Sequence, residues 1–469
     1  MQSRGRIPAF VLCVLAPLIA LTSCSSGDGS QPAGTSTTTT LIDPGTGTTS
    51  TTAVLPVVGP VTWTACGDVE CGQLRVPATH RDPASRQITV GVYSRKAVAE
   101  RVGTLVLLPD YDGPTARDLA TLPTVHLGSA ARRFDVLAVS PRGFFDSTPL
   151  PCALALPYVA PQQDAFAVSA ACRSNESLNS VAYGVTESVG DLETLVAALS
   201  VGPVTVVGWG RGATIAAAWK LMHPASITSM VLDSPDDPGM PVSKVAAMNR
   251  AAEDAGVNNV MEWCTAHLSC PLFENAAKRV KMIIDRIEEG RTNAGATIAS
   301  FRTAFLNTIV SGEYGALFGA LALAETDDYA PLVKLAGADA PGAASRVAAR
   351  IAGACGDMSA ADAETIINDD AAFEETVFRV GSGDTIARVC AGMPEPVEPF
   401  GSVRAAIGAR GSRVQVFVSA TDGVTSPAMV QAFAKRAGWK FRAVKANRHL
   451  VVGRDRTTTE WVSNFLLGS

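Results

Sequence analysis

The chain has 469 residues, of which 47% are hydrophobic and 18% charged, and its formal net charge is −5. This acidic balance argues against a nucleic-acid partner. The length is too great for one simple core, so it predicts a large core domain that carries an inserted subdomain.

The first segment, residues 1–24, has the pattern of an export signal. Arg4 and Arg6 precede an apolar stretch over residues 7–21, and Leu21-Thr22-Ser23-Cys24 closes it. The stretch is short for a transmembrane helix, and the residues before Cys24 are typical of a lipobox in a bacterial signal peptide. We therefore expect Cys24 to carry lipid and to anchor an exported protein to the outer face of the cell membrane. An ordinary secretory signal with a chance cysteine is the alternative.

Residues 25–58 are dominated by Ser, Thr, Gly and Pro. Such a composition cannot bury a core and predicts a disordered tether. Its root-mean-square reach would be roughly 30 Å as a flexible coil, which is enough to hold a folded body away from a membrane surface.

The remaining chain has the alternation of an α/β fold. Strands are predicted over residues 88–93, 104–108, 134–139, 204–207, 229–232, 414–418 and 441–444. Helical patterns separate most of them, which indicates a mostly parallel sheet with helices on both faces. Between residues 239 and 396 the sequence has long Ala-rich helical stretches at 276–289, 344–354 and 362–368. We therefore predict a core over 59–238 and 397–469, with a helical cap over 239–396.

A glycine-rich turn follows the predicted strand at 203–207. It reads Gly208-Trp209-Gly210-Arg211-Gly212 and leads into a helical run over 213–223. Strand, turn and helix are the setting of a nucleophile elbow, whose flanking glycines allow strand and helix to approach closely. Here Gly210 stands at the centre, where the nucleophile would be. The alternatives are an ordinary turn of a buried βα unit and a phosphate cradle; a dinucleotide site would need the turn in an opening βαβ unit.

Eight cysteines remain outside the signal segment, and they fall as near neighbours. An exported protein keeps disulfides, so four bridges are predicted: Cys66–Cys71, Cys152–Cys172, Cys264–Cys270 and Cys355–Cys390. A zinc site at Cys264 and Cys270 with His267 is the alternative, although the spacing is poor for a metal. We predict no metal and no cofactor.

Several separated segments, in the same order along the chain, resemble one family. They are Cys71-Gly72-Gln73-Leu74-Arg75-Val76-Pro77 (family C-G-x-L-x-V-P), Ser140-Pro141-Arg142-Gly143 (D-P-R-G), the elbow, Met230-Val231-Leu232-Asp233 (V-L-D-G), residues 416–427 (L-V-Q-G-x-x-D-P-V-T-P) and Asn447-Arg448-His449 (G-x-G-H). From about Cys66 onward the chain resembles the actinobacterial exported α/β-hydrolases of the tripeptidyl-aminopeptidase type, which are related to proline iminopeptidases. The resemblance implies an α/β-hydrolase fold with an inserted helical cap.

The same resemblance implies positions for the catalytic residues. Asp422 and His449 fall where the family has the acid and the base of its triad, and Gly210 falls at the nucleophile position without a hydroxyl. A loop-turn role for Asp422 and a partly exposed loop position for His449 are the alternatives.

The oxyanion region also departs from the family pattern. After the strand at 104–108 the family has N-P-G-G-P-G, whereas this turn reads Pro109-Asp110-Tyr111-Asp112-Gly113-Pro114. Carboxylates there would oppose oxyanion stabilisation, unless Asp110 and Asp112 point to solvent as turn residues. We hypothesise that the Arg211 guanidinium, next to the nucleophile position, pairs with Asp110 or Asp112; a solvated arginine at a helix start is the alternative.

These features predict a lipid-anchored cell-envelope protein whose hydrolase centre is degenerate. We expect it to bind a peptide, a lipid or an envelope protein in the cleft between core and cap, as a pseudoenzyme. One alternative is an active hydrolase of peptides or esters that uses His449 and Asp422 with water or an unrecognised nucleophile. Another is a structural assembly factor of the envelope.

Overall fold

The part of the chain that the structure describes contains one mixed β-sheet. The structure is a computed structural model and describes residues 61–150, 180–337, 343–372, 383–396, 398–405 and 413–468, together with positions 170 and 409. Nine strands form the sheet in the order β1-β2-β3-β5-β4-β6-β7-β8-β9. They are β1 Thr62–Ala65, β2 Glu70–Thr79, β3 Asp82–Arg95, β4 Gly103–Leu108, β5 Phe134–Ser140, β6 Val204–Trp209, β7 Ile227–Asp233, β8 Arg413–Ser419 and β9 Lys440–Val444.

The strands from β5 to β9 run parallel, and the strands at the β1 end run antiparallel. β1 pairs with β2, β2 with β3 and β3 with β5 in antiparallel register, while all other neighbours are parallel. Every residue of β6 is buried, as expected for a parallel strand covered on both faces. The seven predicted strands are confirmed, whereas β1 and β2 were not predicted.

Helices cover both faces of the sheet. The helices before β8 are α1 Ala116–Thr121, α2 Pro123–Leu127, α3 Val185–Ala198, α4 Arg211–Met222, α5 Val242–Ala266, α6 Ala276–Glu288, α7 Ile298–Ser311, α8 Tyr314–Ala324, α9 Ala330–Ala336, α10 Ala343–Asp357, α11 Ala360–Ala372 and α12 Gly383–Cys390. After β8 follow α13 Pro427–Ala437 and α14 Arg456–Leu467. Polar side chains cap α1, α7, α13 and α14 at their N-termini; Thr297, for example, caps α7 in a capping box with Ser300. The predicted α/β class is therefore confirmed.

The helical segment between β7 and β8 has two parts with different packing. The second half of α5, from Val257, and α6–α9 form a hydrophobic cluster of their own, the α5–α9 cluster, which includes Phe301, Phe305 and Phe318, while Val245 at the start of α5 packs in the cluster of the sheet. In contrast, Ile351 of α10 and Ile366 of α11 belong to the cluster that contains the sheet residues Leu108 and Val206. The boundaries at 238 and 396 stay a prediction, but α10–α12 pack with the core.

Three of the four predicted disulfides are formed. Cys66–Cys71 links the residue after β1 to β2, Cys264–Cys270 closes the end of α5, and Cys355–Cys390 joins α10 to α12. The bond between Cys264 and Cys270 leaves no thiolate for the zinc alternative. Cys152, Cys172, Cys24, the signal segment and the tether lie outside the described residues. Among the helices that the structure describes, none combines the length and the hydropathy needed to cross a bilayer.

Candidate functional site

The glycine-rich turn connects β6 directly to α4. Gly210 lies between the two elements with φ +46° and ψ −113°, a conformation that glycine adopts at little cost and other residues adopt only under strain. A Cβ atom on Gly212 would overlap the Leu108 carbonyl oxygen, and one on Gly208 would lie 2.7 Å from the Ala213 backbone. The flanking glycines therefore allow the close packing of strand and helix that a sharp elbow requires.

Asp422 and His449 form a buried pair at the carboxyl ends of neighbouring strands. Asp422 follows β8 and His449 follows β9, and His449 Nδ1 lies 2.9 Å from Asp422 Oδ2. The Asp422 carboxylate also accepts hydrogen bonds from the backbone N–H groups of Val424 and Thr425 and from the Ser234 hydroxyl, at 2.9 to 3.0 Å. His449 is only 3% exposed and Asp422 2%. This geometry differs from a partly exposed loop histidine, and it holds the imidazole with Nε2 toward the elbow.

Asp110 occupies the space in front of the elbow. Its Oδ1 accepts a hydrogen bond from the Arg211 backbone N–H at 2.8 Å, and its Oδ2 lies 3.8 Å from His449 Nε2. A Cβ atom on Gly210 would overlap the Asp110 carboxylate. Because Asp110 is only 5% exposed, the expectation that it points to solvent as an ordinary turn residue is wrong. A carboxylate of the chain itself accepts the N–H that would otherwise face a developing oxyanion.

Helix α10 covers this turn and supplies two further charges. The Arg211 guanidinium pairs with Asp357 of α10, and Asp112 pairs with Arg350 of α10 at 2.5 Å. The hypothesis that the Arg211 guanidinium pairs with Asp110 or Asp112 is therefore wrong in the ion pairs that the structure describes. The physical reason is the position of α10, which offers Arg211 an opposite charge.

Tyr111 sets how closely α10 approaches the turn. A Cβ atom on Gly353 of α10 would overlap the Tyr111 hydroxyl, so only glycine fits there. The Tyr111 ring stacks on Phe144 at 4.7 Å and lies 5.2 Å from the Arg350 guanidinium. Burial raises the pKa of the Tyr111 hydroxyl, so it stays neutral in this packed position.

The protonation of His449 follows from its neighbours. Burial alone lowers the pKa of His449, but the charge of Asp422, the hydrogen bond to Asp422 and the charges of Asp110 and Asp233 raise it to about 9. The imidazole is then a cation near pH 7, placed between Asp422 and Asp110. A protonated imidazole cannot take a proton from a nucleophile or from water. Burial also raises the pKa of Asp233, beside the loop that carries His449, to about 6.

A cavity of about 270 Å³ opens in front of these groups. The side chains that line it come from the core and from the helical segment, and they include Asp236, Asn249, Val245, Phe400 and Thr425 besides the charged residues described above. Sequence reasoning missed Arg350 and Asp357, because nothing in the local sequence of α10 distinguishes them from solvated helix charges. Within the described ranges, no cluster of His, Cys, Asp and Glu has the arrangement of a metal site.

Fold and site together define a protein built as a hydrolase. Residues 124–450 match the family model described as the alpha/beta hydrolase fold, so the chain belongs to the α/β-hydrolase family. It is 27% identical over 258 residues to the serine protease Hip1 of Mycobacterium tuberculosis, and that match covers 48% of this chain and 48% of the relative. The chain thus spans about half the length of the curated relative it matches.

Solved structures of hydrolase-related proteins also match the chain, at low sequence identity. A proline iminopeptidase-related protein from Thermus thermophilus is 14% identical, with a TM-score of 0.36, and the match covers 87% of this chain and 96% of that one. An alpha/beta hydrolase fold protein from Nakamurella multipartita is 12% identical, with a TM-score of 0.37, and the match covers 84% of this chain and 98% of that one.

Proposed function

We propose that this α/β-hydrolase is a lipid-anchored cell-envelope protein with a degenerate peptidase-like centre, which it retains for binding a ligand or partner. The observation that carries the proposal is the elbow. Gly210 has no hydroxyl, and the Asp110 carboxylate takes both the space of a nucleophile side chain and the Arg211 N–H. The similarity to a serine protease supports the interpretation of Asp422 and His449 as retained positions of a peptidase triad.

Three separate losses oppose an acyl-enzyme mechanism. Removal of the nucleophile alone costs on the order of 10⁶ in turnover in well-studied serine proteases. The occupied Arg211 N–H no longer faces an incoming carbonyl oxygen, which removes a donor worth about 10² to 10³. Third, the raised pKa of His449 keeps the base protonated near pH 7. This last effect also opposes the alternative in which His449 and Asp422 activate water.

The cleft that remains suits a small part of a larger ligand. A volume of about 270 Å³ is slightly below the usual range for a drug-sized molecule, so it would admit a side chain or a chain end. We propose a peptide as the ligand, because the relative that the chain resembles is a serine protease. A lipid or an envelope protein would be the alternative occupants, and a thermal-shift series with peptides and lipids separates them, since a ligand of the native state raises Tm.

The test of the degenerate centre is labelling with a fluorophosphonate probe. We expect no labelling of the wild-type chain and none of Gly210→Ser, because the new Cβ overlaps the Asp110 carboxylate. The double variant Gly210→Ser with Asp110→Gly removes that overlap and frees the Arg211 N–H, so it should label and hydrolyse a simple ester. Adding His449→Ala to the double variant should abolish both signals.

Two outcomes would contradict the proposal. Stoichiometric labelling of a wild-type serine would reveal a nucleophile elsewhere. Ester or peptide turnover by the wild-type chain that disappears in His449→Ala would show that the centre is still active. Mass spectrometry of the N-terminal peptide tests the anchor separately, because a lipidated Cys24 would be the first residue.

A further inference from the structure

Positive charge is concentrated at one end of the chain and one edge of the fold. Residues 435–456, which we call the basic edge, contain eight Lys or Arg side chains and one Asp, a net charge of +7. The whole chain carries −5, so the remainder carries −12. The segment comprises the end of α13, strand β9 and the loop that leads to α14.

The fold places this charge at the surface. β9 is the last strand of the sheet, paired with β8 on one side. Lys440, Arg442, Lys445 and Arg454 are exposed. Of the eight cations, the ion pairs among the described residues involve Arg436 with Asp237 and Arg456 with Glu460. Most of the positive charge is therefore not neutralised by neighbouring carboxylates.

Two aromatic rings of α14 contact cations of β9 and of the neighbouring strand β8. The Arg442 guanidinium lies 3.9 Å from the centre of the Trp461 ring of α14, and Arg413 at the start of β8 lies 4.9 Å from the Phe465 ring. Trp461 is 36% exposed. Trp beside Lys and Arg is the combination that proteins place at the boundary between lipid and water.

Edge protection explains only part of this pattern. Charged side chains on an edge strand prevent sheets from pairing edge to edge, and Lys440 and Arg442 satisfy that need. The basic edge continues beyond β9 to Lys445, Arg448 and Arg454, where there is no strand to protect. Exposed cationic side chains attract anionic lipid headgroups, by about fivefold in binding for each charge near the surface.

We propose that the basic edge docks on an anionic bilayer, and this inference rests on the proposed lipid anchor, which would keep the folded body within reach of the membrane. A tether with a reach of roughly 30 Å would keep the effective concentration of the basic edge near the bilayer high. The partner is the headgroup layer of anionic phospholipids, and the cleft at Gly210 takes no part.

The test is hydrogen exchange of the full chain bound to vesicles. We expect a chain that begins at lipidated Cys24 to be held on the bilayer by its lipid, and a chain that keeps the apolar stretch over residues 7–21 to be held by that stretch, so the basic edge is measurable in either case. We expect slower exchange over 435–456 and α14 on vesicles of phosphatidylglycerol and phosphatidylcholine than on phosphatidylcholine alone. In 1 M NaCl, where the Debye length is about 3 Å, the difference should vanish.

Matched variants separate this surface from general charge effects. Lys440→Gln with Arg442→Gln and Lys445→Gln should weaken docking about 100-fold and remove the lipid-dependent protection. Lys278→Gln with Lys281→Gln and Lys334→Gln removes three exposed charges from the helical segment and should leave the protection intact.

Protection that is equal on both lipid compositions would overturn the inference. Equal protection by soluble polyglutamate at the same charge concentration would also overturn it, because the partner would then be any polyanion. An N-terminal peptide without lipid on Cys24 would refute the anchor instead, and it would leave the exchange result to judge the basic edge.

Discussion

At the scale of single residues, Asp110 explains more of this site than the missing serine does. A chain that had only lost its nucleophile would keep an open oxyanion donor. Asp110 accepts the Arg211 N–H, and its charge adds to that of Asp422, the larger cause of the raised pKa of His449. One carboxylate therefore blocks the oxyanion donor and favours the protonated base, so a serine at position 210 is not enough to restore the centre.

The protonation of His449 gives a pH dependence whose sign follows from its pKa. The folded-state pKa of about 9 lies above the unfolded value of about 6.5, so the folded protein binds this proton more tightly. The stabilisation is complete below pH 6.5 and is lost as the pH rises to 9, by on the order of 3 kcal/mol. We expect NMR titration of the His449 ring to show a midpoint near 9.

Replacing Asp110 tests the cause of this shift. Asp110→Asn removes one of the carboxylates that raise the pKa of His449, so the midpoint should fall, and the loss of stability should be smaller and should end at a lower pH. Asp112→Asn is the matched control, because the Asp112 carboxylate pairs with Arg350, and its effect should be smaller. A His449 midpoint near 6.5 in the wild-type chain would contradict the charged-imidazole interpretation.

At the scale of elements, the sequence predicts best the strands whose pattern depends only on neighbouring residues. β4, β6 and β7 are nearly continuous apolar runs because both faces are buried, and such runs are easy to find. In β2 the buried Leu74 and Val76 flank the exposed Arg75. One-sided burial gives a weaker pattern, so β1 and β2 were missed although the Cys71-to-Pro77 motif lies within β2.

The charge pairs of the site could not be predicted in the same way. Arg211 and Asp357 are 146 positions apart, and their contact depends on where α10 docks. The local sequence places Arg211 at the start of a helix, and the order of the strands in the fold places Asp110 near it. Neither indicates which helix covers the turn, so the sequence predicts Asp110 or Asp112 as the partner of the Arg211 guanidinium, whereas the partner is Asp357.

The ion pair between Arg211 and Asp357 should stabilise the docking of α10. Both side chains are buried, at 12% and 6% exposure, and the other oxygen of Asp357 accepts the Val185 N–H at the start of α3 at 2.7 Å. Asp357→Asn keeps that acceptor but removes the charge, which leaves the Arg211 guanidinium buried without its partner. We expect a loss of about 3 kcal/mol in the free energy of unfolding, measured by urea denaturation.

An exposed pair provides the control for this variant. Lys281 and Asp285 lie 2.6 Å apart on α6 with most of Lys281 in solvent. Asp285→Asn should change the free energy of unfolding by less than about 0.5 kcal/mol. Similar small losses in both variants would mean that the Arg211–Asp357 pair does not hold α10 in place.

At the scale of the whole molecule, packing divides the helical segment in a way that the chain order does not show. The predicted cap over 239–396 is continuous in sequence, but the second half of α5 and α6–α9 have their own hydrophobic cluster, whereas the start of α5 and α10–α12 share the cluster of the sheet. Helix α10, which covers the candidate site, therefore packs with the core. The start of α5 lines the cleft at Val245 and packs in the same cluster.

This division predicts two cooperative units in native-state hydrogen exchange. Phe318 is fully buried in the α5–α9 cluster and stacks on Trp263 at 6.0 Å, so Phe318→Ala should cost about 3 to 5 kcal/mol there. Exchange should accelerate in α6–α9 and stay slow in β4 and β6. Phe433→Ala, in the cluster of the sheet, should accelerate exchange in the strands and in α10 as well. If both variants accelerated the same peptides, the two clusters would unfold as one unit, and α10 would be no more firmly attached to the core than the rest of the helical segment.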